Sequence, residues 1–131
     1  MVVVSLIVVS GMIGWAIGGS QRSVPEEAKK IRSPIEATAE NVAAGEKLFD
    51  RQCSVCHGDD GKGNTDMAAS LPKKPADLTR KEMEAVSDGE LFWLVANGLP
   101  QSGMPSFKTK LSDNEKWQVV LFVSSLSKPK P

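Results

Sequence analysis

Three stretches of the chain repeat apolar or small residues three and four positions apart, the spacing of one face of an α-helix. The first covers residues 41–53, for which Asn41 is the predicted cap, and the second covers residues 87–98. The third covers residues 112–126. The second and third begin with Ser-Asp-Gly-Glu and Ser-Asp-Asn-Glu, which have the form of a capping box, and residues 79–82 begin a shorter helix. Nothing after residue 40 alternates convincingly in the two-residue period of a strand, so the pattern predicts an all-α fold.

Residues 1–19 form a separate apolar run that contains no charged residue. A helix of that length is about 28 Å long, close to the ~30 Å hydrocarbon core of a bilayer. The run therefore predicts a single N-terminal transmembrane helix that anchors the chain. An export signal is the alternative. The basic start of such a signal is missing and the run exceeds the usual ~7–15 residues, but Ala16-Ile17-Gly18 remains a candidate cleavage site.

Residues 20–39 are polar, are interrupted by Pro25 and Pro34, and have no clear apolar periodicity. They predict a partly extended tether, which would span roughly 25 Å as a flexible coil and more than twice that when drawn out. The remaining residues, 40–131, suffice for one small domain. A domain of this size has a small hydrophobic core, and a bound group would form part of that core.

The charge balance excludes one class of partner. The chain has 16 basic and 16 acidic residues, so it has no basic excess for binding nucleic acid. Lys73, Lys74, Lys108 and Lys110 lie beside segments expected to border a bound group. They form either a docking patch for an acidic partner or a generic solvated surface.

The chain has two cysteines, Cys53 and Cys56, and its single histidine, His57, follows them directly. C-x-x-C-H is the attachment motif of c-type haem. Two thiols on one turn can each add to one vinyl group, which gives two thioether links. The imidazole of the next residue can then bind the iron as its fifth ligand. The motif predicts one covalent haem c per chain.

Three other interpretations of the cysteine pair are weaker. A thioredoxin-like redox pair is expected in a βαβ context, which the helical pattern lacks. A zinc site needs about four ligands, whereas the chain offers two cysteines and one histidine. A disulfide across two intervening residues would close a small, strained loop.

The second axial ligand of the iron cannot be another histidine of this chain, so methionine, a soft thioether, is the natural candidate. Two of the five methionines lie in the N-terminal run. Met104 lies in an irregular Gly-Met-Pro segment, which can present a side chain sideways to a flat cofactor. We therefore predict Met104 as the ligand, although core filling is the commonest role of a methionine. Met67 and Met83 are predicted to be core or pocket-wall residues.

Residues 41–126 resemble the class I cytochromes c, which are small single-haem electron carriers. Besides the two motifs above, the resemblance includes Gly45 and Phe49 on the first helix, the segment 75–78, and residues 117–123 of the last helix. It implies the class I cytochrome c fold wrapped around a covalent haem.

The resemblance also implies roles for individual residues. The glycine and aromatic of the first helix pack against Val119 and Phe122 of the last helix. Pro75 looks like the proline whose carbonyl accepts a hydrogen bond from the ligand histidine, and Leu78 looks like the leucine that lines the haem. Relatives often carry tyrosine at the position of Phe122, so no phenol hydrogen bond is expected there.

The function implied is one-electron transfer, with His57 and Met104 as axial ligands, between a protein donor and a protein acceptor in or near the membrane, such as a respiratory complex. A carrier of this kind is not itself an enzyme. One alternative is a haem-binding subunit of an enzyme complex. Another is a haem peroxidase or a haem-based gas sensor. A peroxidase or a sensor needs a sixth coordination site that opens, which ligation by Met104 disfavours.

Location involves a conflict between two signals. In the resembled family, haem is attached on the outer side of the bacterial membrane, which implies a haem domain on the periplasmic side of the cytoplasmic membrane. Four basic residues between positions 22 and 32 follow the apolar run and none precedes it, which by the positive-inside rule favours the cytoplasm. Because glutamates are mixed among these basic residues, the haem motif is given more weight, and the periplasmic side is expected.

Overall fold

Six α-helices and two 3-10 helices follow one another in the computed structural model, which describes residues 24–128. The α-helices are α1 (Glu26–Lys29), α2 (Ala39–Gln52), α3 (Ser54–His57), α4 (Asp66–Ala69), α5 (Asp88–Asn97) and α6 (Asp113–Leu126). The 3-10 helices are Lys81–Ala85 and Pro100–Ser102. Within the described residues the β pairing is limited to an isolated bridge between Leu99 and Met104, so the all-α prediction is confirmed there.

The starts of α5 and α6 differ in how fully the predicted capping boxes form. At α6, Ser112 Oγ accepts the N–H of Glu115 at 3.2 Å, and the Glu115 carboxylate accepts the N–H of Ser112 at 2.8 Å. At α5, Ser87 Oγ accepts the N–H of Glu90 at 3.2 Å, but within the described part of the chain the Glu90 carboxylate does not accept the N–H of Ser87 in return. The Glu90 carboxylate instead lies close enough to Lys29 of α1 to attract its charge.

Helix α2 begins earlier than the sequence pattern predicts. Thr38 is its N-cap, and Thr38 Oγ1 accepts the N–H of Asn41 at 3.2 Å. The prediction of Asn41 as the cap is therefore wrong. The Asn41 side chain is used differently: its amide donates to the carbonyl of Glu36 at 2.9 Å, and its Oδ1 accepts from Gln118 at 3.3 Å. Threonine and asparagine are both favoured N-cap residues. Because the Asn41 side chain makes these two other contacts, Thr38 is the N-cap.

Helices α2 and α6 pack against each other at the centre of the core. Gly45 of α2 lies against the backbone of Gln118, and the rings of Phe49 and Phe122 are 5.2 Å apart at an interplanar angle of 58°. Val119 is also fully buried. The predicted packing of the first helix against the last is thus confirmed. The core cluster of buried residues is Leu48, Phe49, Leu78, Leu91, Phe107, Leu111, Trp117, Val119, Val120, Phe122 and Val123.

The described part of the predicted tether is folded onto the domain. It contains α1, which packs against α5, and Ala28 in α1 is only 7% exposed. Ile35 packs against the core cluster. The prediction of a flexible, partly extended tether is therefore wrong for the part from α1 onward, where single buried residues hold the segment without a periodic apolar pattern.

The predicted membrane anchor, residues 1–19, lies outside the described residues. Between residues 24 and 128, no helix combines the length and the apolar character that crossing a membrane requires.

Candidate functional site

The three residues of the C-x-x-C-H motif lie on a single helical turn that continues from α2. Cys53 ends α2, where its N–H donates to the carbonyl of Phe49 at 2.8 Å. The carbonyl of Cys53 then accepts the N–H of Cys56 at 3.1 Å and that of His57 at 2.9 Å. Because α2 is fixed by the core, it fixes the direction of this turn as well. Both thiols are free and half-buried.

The loop after His57 turns sharply and is tied back to the motif. Gly58 has a φ of 76°, a left-handed conformation that glycine adopts without strain. The carbonyl of His57 accepts the N–H of Gly63 at 2.6 Å. The hydroxyl of Thr65 donates to the carbonyl of Val55 at 2.9 Å and also caps α4 by accepting the N–H of Ala68. Thr65 belongs to no motif of the sequence, and only the Thr-Asp pair at the start of α4 indicates its capping role.

The imidazole of His57 is half-buried and lies beside the aromatic ring of α2. Its ring centroid is 6.2 Å from that of Phe49. Burial holds the pKa of His57 below its ordinary value of 6.5, and the nearby backbone of Ala76 opposes that shift. His57 Nδ1 is buried and has no hydrogen-bond partner among the described residues. The side chain is therefore neutral at physiological pH, the protonation state in which an imidazole binds metal.

The hydrogen bond predicted from His57 to the carbonyl of Pro75 does not form in this structure. The Pro75 carbonyl faces Gly63, where an added Cβ would lie 3.1 Å from its oxygen. The backbone of Ala76, the residue after Pro75, lies close enough to the imidazole to raise the pKa of His57 against the effect of burial. Leu78 is 7% exposed and belongs to the core cluster. The roles of Pro75 and Leu78 in holding a haem stay predictions.

Met104 is held in place by its backbone. The N–H of Met104 donates to the carbonyl of Leu99 at 3.1 Å, and the N–H of Leu99 donates to the carbonyl of Met104 at 2.9 Å. Gly103, with a φ of 88°, makes the turn that precedes it, and an added Cβ there would lie 2.8 Å from the side chain of Leu71. The Met104 side chain is half-buried and is not among those packed against the core cluster. The role of Met104 as an axial ligand stays a prediction.

The two other candidate methionines differ from each other. Met83 is half-buried and packs against the core cluster, which confirms its predicted core role. Met67, on α4, is 48% exposed, so it is not a core residue, and its alternative role in a pocket wall stays a prediction. A short helix on the surface, four residues long, offers it little to pack against.

The cysteine environment distinguishes two kinds of thiol chemistry. Burial, reinforced by the neighbouring Cys56, raises the pKa of Cys53 to about 11. A thioredoxin-like nucleophile needs the opposite, a thiolate stabilised at neutral pH. Thiols beside a neutral, half-buried imidazole on one turn instead fit covalent haem attachment. His57 and Met104 supply a nitrogen and a thioether of the kinds that haem iron accepts.

Known proteins that are similar to this chain include c-type cytochromes. The family model described as cytochrome C oxidase, cbb3-type, subunit III matches residues 40–123. Cytochrome c6 of Leptolyngbya boryana is 34% identical over 84 residues, which cover 63% of this chain and 89% of that protein. A solved structure, the KustC0563 c-type cytochrome, has a TM-score of 0.57 and 30% identity and covers 64% of this chain and 98% of that one.

One further relative is much longer. The quinohemoprotein alcohol dehydrogenase ADH IIB of Pseudomonas putida is 30% identical over 103 residues, 77% of this chain. The match spans only 13% of that enzyme. The similarity therefore concerns one part of the enzyme.

Proposed function

The chain belongs to the cytochrome c family, and on that premise we propose that it transfers single electrons through a covalent haem c whose axial ligands are His57 and Met104. The observation that carries the proposal is the motif turn itself, with both thiols and a neutral imidazole fixed on one helical turn by α2. When bound, the haem supplies a one-electron couple between ferric and ferrous iron.

The protein's own residues have separate tasks in this proposal. Cys53 and Cys56 fix the position of the cofactor through thioether bonds. His57, kept unprotonated by burial, offers a nitrogen without first releasing a proton at physiological pH. Met104 offers a soft thioether, which favours the reduced iron and so raises the reduction potential. None of these tasks needs a catalytic base or nucleophile, which fits an electron carrier.

A haem peroxidase or gas sensor would need a sixth site that opens. The paired backbone hydrogen bonds between Leu99 and Met104, at 2.9 and 3.1 Å, favour a ligand that stays in place. The experiment is a visible spectrum of the ferric protein, in which ligation by histidine and methionine gives a weak far-red band, combined with a potentiometric titration. We expect that band and one reversible one-electron wave. A spectrum of a water-ligated ferric haem would contradict the proposal.

A second candidate is that the chain works as the electron-carrying subunit of a larger enzyme complex. The matching family model, which is described as an oxidase subunit, favours it. The experiment is co-purification from gently solubilised membranes. A stoichiometric oxidase or dehydrogenase partner would support the subunit, whereas a chain that elutes alone would support a separate carrier.

We also propose that residues 1–19 anchor the protein in the bacterial cytoplasmic membrane, with the haem domain on the periplasmic side. The uncharged run of that length supports the anchor. Hydrophobic insertion is not screened by ions, so the native protein should stay with membranes through a high-salt wash. Intact mass or N-terminal sequencing tests the export-signal alternative, for which a chain starting near Gly19 would be the main species.

The partners are proposed to be a redox donor and a redox acceptor with acidic docking surfaces. Lys73, Lys74, Lys108 and Lys110 are exposed, and none of them forms an ion pair with another described residue. Lys74 Nζ donates to Asn64 at 2.8 Å, and Lys110 Nζ lies 5.7 Å from the centre of the Phe107 ring. Unpaired cations of this kind attract an acidic partner over a Debye length of about 8 Å at physiological salt. Association with an acidic partner should therefore slow as salt is added, and salt-independent association would contradict this docking mode.

A further inference from the structure

The segment 25–36, which we name the N-terminal strap, precedes the first residue of the family match, residue 40, yet it packs onto the haem domain. Its short helix α1 lies on α5, and Ala28 is 7% exposed in that contact. The strap is thus an addition to the part of the chain that the family model describes.

Gly89 of α5 forms the seat of the strap. A Cβ added to Gly89 would lie 2.5 Å from the carbonyl oxygen of Ile31 and would overlap that of Ala28. Gly89 does not have a positive φ, so the backbone of α5 does not itself require glycine. In a helix, alanine is favoured over glycine by about 1 kcal/mol. The close approach of the strap therefore explains the glycine, and the helix propensity of α5 does not.

Other contacts hold the strap on either side of this seat. Near its start, Lys29 pairs with Glu26 at 2.8 Å and is attracted by Glu90 of α5. Near its end, Ile35 packs against the core cluster, and the Asn41 amide donates to the carbonyl of Glu36 at 2.9 Å. The strap is accordingly fixed at its helix, at its end and on the glycine seat.

We infer that the N-terminal strap is a docked element that holds the haem domain close to the membrane, an inference that rests on the proposed anchor at residues 1–19. Only residues 20–24 then separate the anchor from the strap. Five residues reach at most ~18 Å when extended, against ~70 Å for the twenty residues of a free tether. The haem domain would then meet its redox partner near the membrane surface, without the longer reach that a free tether gives.

The docking of the strap is tested by trypsin on the full haem-loaded chain, since Lys29, Lys30 and Arg32 all lie in the strap. We expect Ala28→Asp and Gly89→Ala each to speed cleavage at these sites by about tenfold or more, because protection there reflects local opening. Since both variants release the same contact, the double variant should be cut no faster than the faster single one.

The matched control is Ala43→Asp, the same chemical change at an exposed position of α2, which should leave strap cleavage unchanged. The far-red band in the ferric spectrum, which needs both axial ligands in place, reports that each variant remains folded. Should Gly89→Ala lose that band, Ala28→Asp still decides the question, because it changes the strap alone. A wild-type strap cut as fast as that of Ala28→Asp would overturn the inference.

The distance to the membrane is tested in phosphatidylcholine vesicles that contain a dansyl-labelled lipid headgroup, whose emission the haem quenches by energy transfer. The full-length protein should quench more strongly than Ala28→Asp, because release of the strap lengthens the tether. Equal quenching by both, with trypsin protection intact in the wild type, would overturn the membrane part of the inference. A wild-type protein that fails to bind the vesicles would overturn the anchor and with it that same part, while the trypsin result would still stand for the strap.

Discussion

Gly45 and Gln118 are in contact where α2 crosses α6, and the contact leaves no room for a side chain on Gly45. A Cβ there would overlap the carbonyl of Gln118 and would lie 3.0 Å from the Cβ of Phe122. The side-chain amide of Gln118 donates to Asn41, one turn earlier on α2, at 3.3 Å. Next to this crossing, the rings of Phe49 and Phe122 are 5.2 Å apart. The crossing thus sets the position of α2 and, through α2, that of the haem-attachment turn.

Gly45→Ala should destabilise the protein by about 1–3 kcal/mol, because the added methyl group forces the two helices apart. This loss opposes the gain of about 1 kcal/mol that alanine brings to a helix. The measurement is denaturant unfolding of the haem-loaded protein. Ala43→Gly, at an exposed position two residues earlier, is the control: it should cost only the helix propensity. A Gly45→Ala protein as stable as the wild type would show that the crossing is not tight.

Much of this arrangement follows from the sequence. The Ser-Asp-Asn-Glu start of α6 predicts a capping box because each of its two polar side chains has a backbone partner within the same turn, and both bonds form. The contact of Gly45 and Phe49 with the last helix follows from the resemblance to class I cytochromes c. Hydrogen bonds between near neighbours in the chain and the motifs of a family can both be recognised from the sequence alone.

Contacts between distant segments account for what the sequence does not show. The strap is held by the burial of Ala28 and by carbonyl groups that face Gly89. Neither feature produces a periodic pattern of apolar residues in the sequence. The cap of α2 is Thr38 because Asn41 has partners in Glu36 and Gln118, the latter 77 positions away. Such choices are made by tertiary contacts, which override local preference.

The start of α6 should carry part of the stability in acid. The backbone N–H of Ser112, followed by its side chain, holds the pKa of Glu115 below its ordinary value of 4.5. Between that lower value and 4.5 the unfolded chain binds more protons than the folded one, so stability falls as the pH falls. The contribution is fully present above pH 4.5 and is lost as the pH drops through the pKa of the folded state.

Glu115→Gln should therefore be less stable than the wild type above pH 4.5, and the difference should shrink below it. Urea unfolding across that range measures it. Glu46→Gln, the same substitution at an exposed position of α2, is the matched control. A constant difference between Glu115→Gln and the wild type would mean that the carboxylate bond to Ser112 does not titrate with folding.

Replacing both Cys53 and Cys56 with alanine should abolish covalent haem, because these are the only thiols in the chain. In the wild type, haem should remain with the protein through acid–acetone extraction and denaturing electrophoresis. Val55→Ala, an exposed change on the same turn, is the control and should keep its haem. Haem that stays attached to the double variant would rule out the thioether assignment.

Met104→Ala should open the sixth position of the iron. Loss of the thioether removes the ligand that raises the potential, so the potential should fall by an appreciable part of the ~0.8 V range that axial ligands control. Cyanide should bind the ferric variant readily, and the far-red band of the wild type should disappear. The fold should survive, because the Met104 side chain is not packed against the core cluster and the bridge to Leu99 uses only backbone atoms.

Met67→Ala and Met83→Ala are the matched controls for this ligand assignment. Met67 is 48% exposed, so its removal should change neither the spectrum nor the potential. Met83 packs against the core cluster, so its removal should cost about 2–5 kcal/mol of stability at most while the spectrum of the folded protein is retained. An unchanged ferric spectrum in Met104→Ala, together with a lost far-red band in either control, would assign the ligand to that other methionine. The opposite pattern, with cyanide binding confined to Met104→Ala, would establish the pair of His57 and Met104.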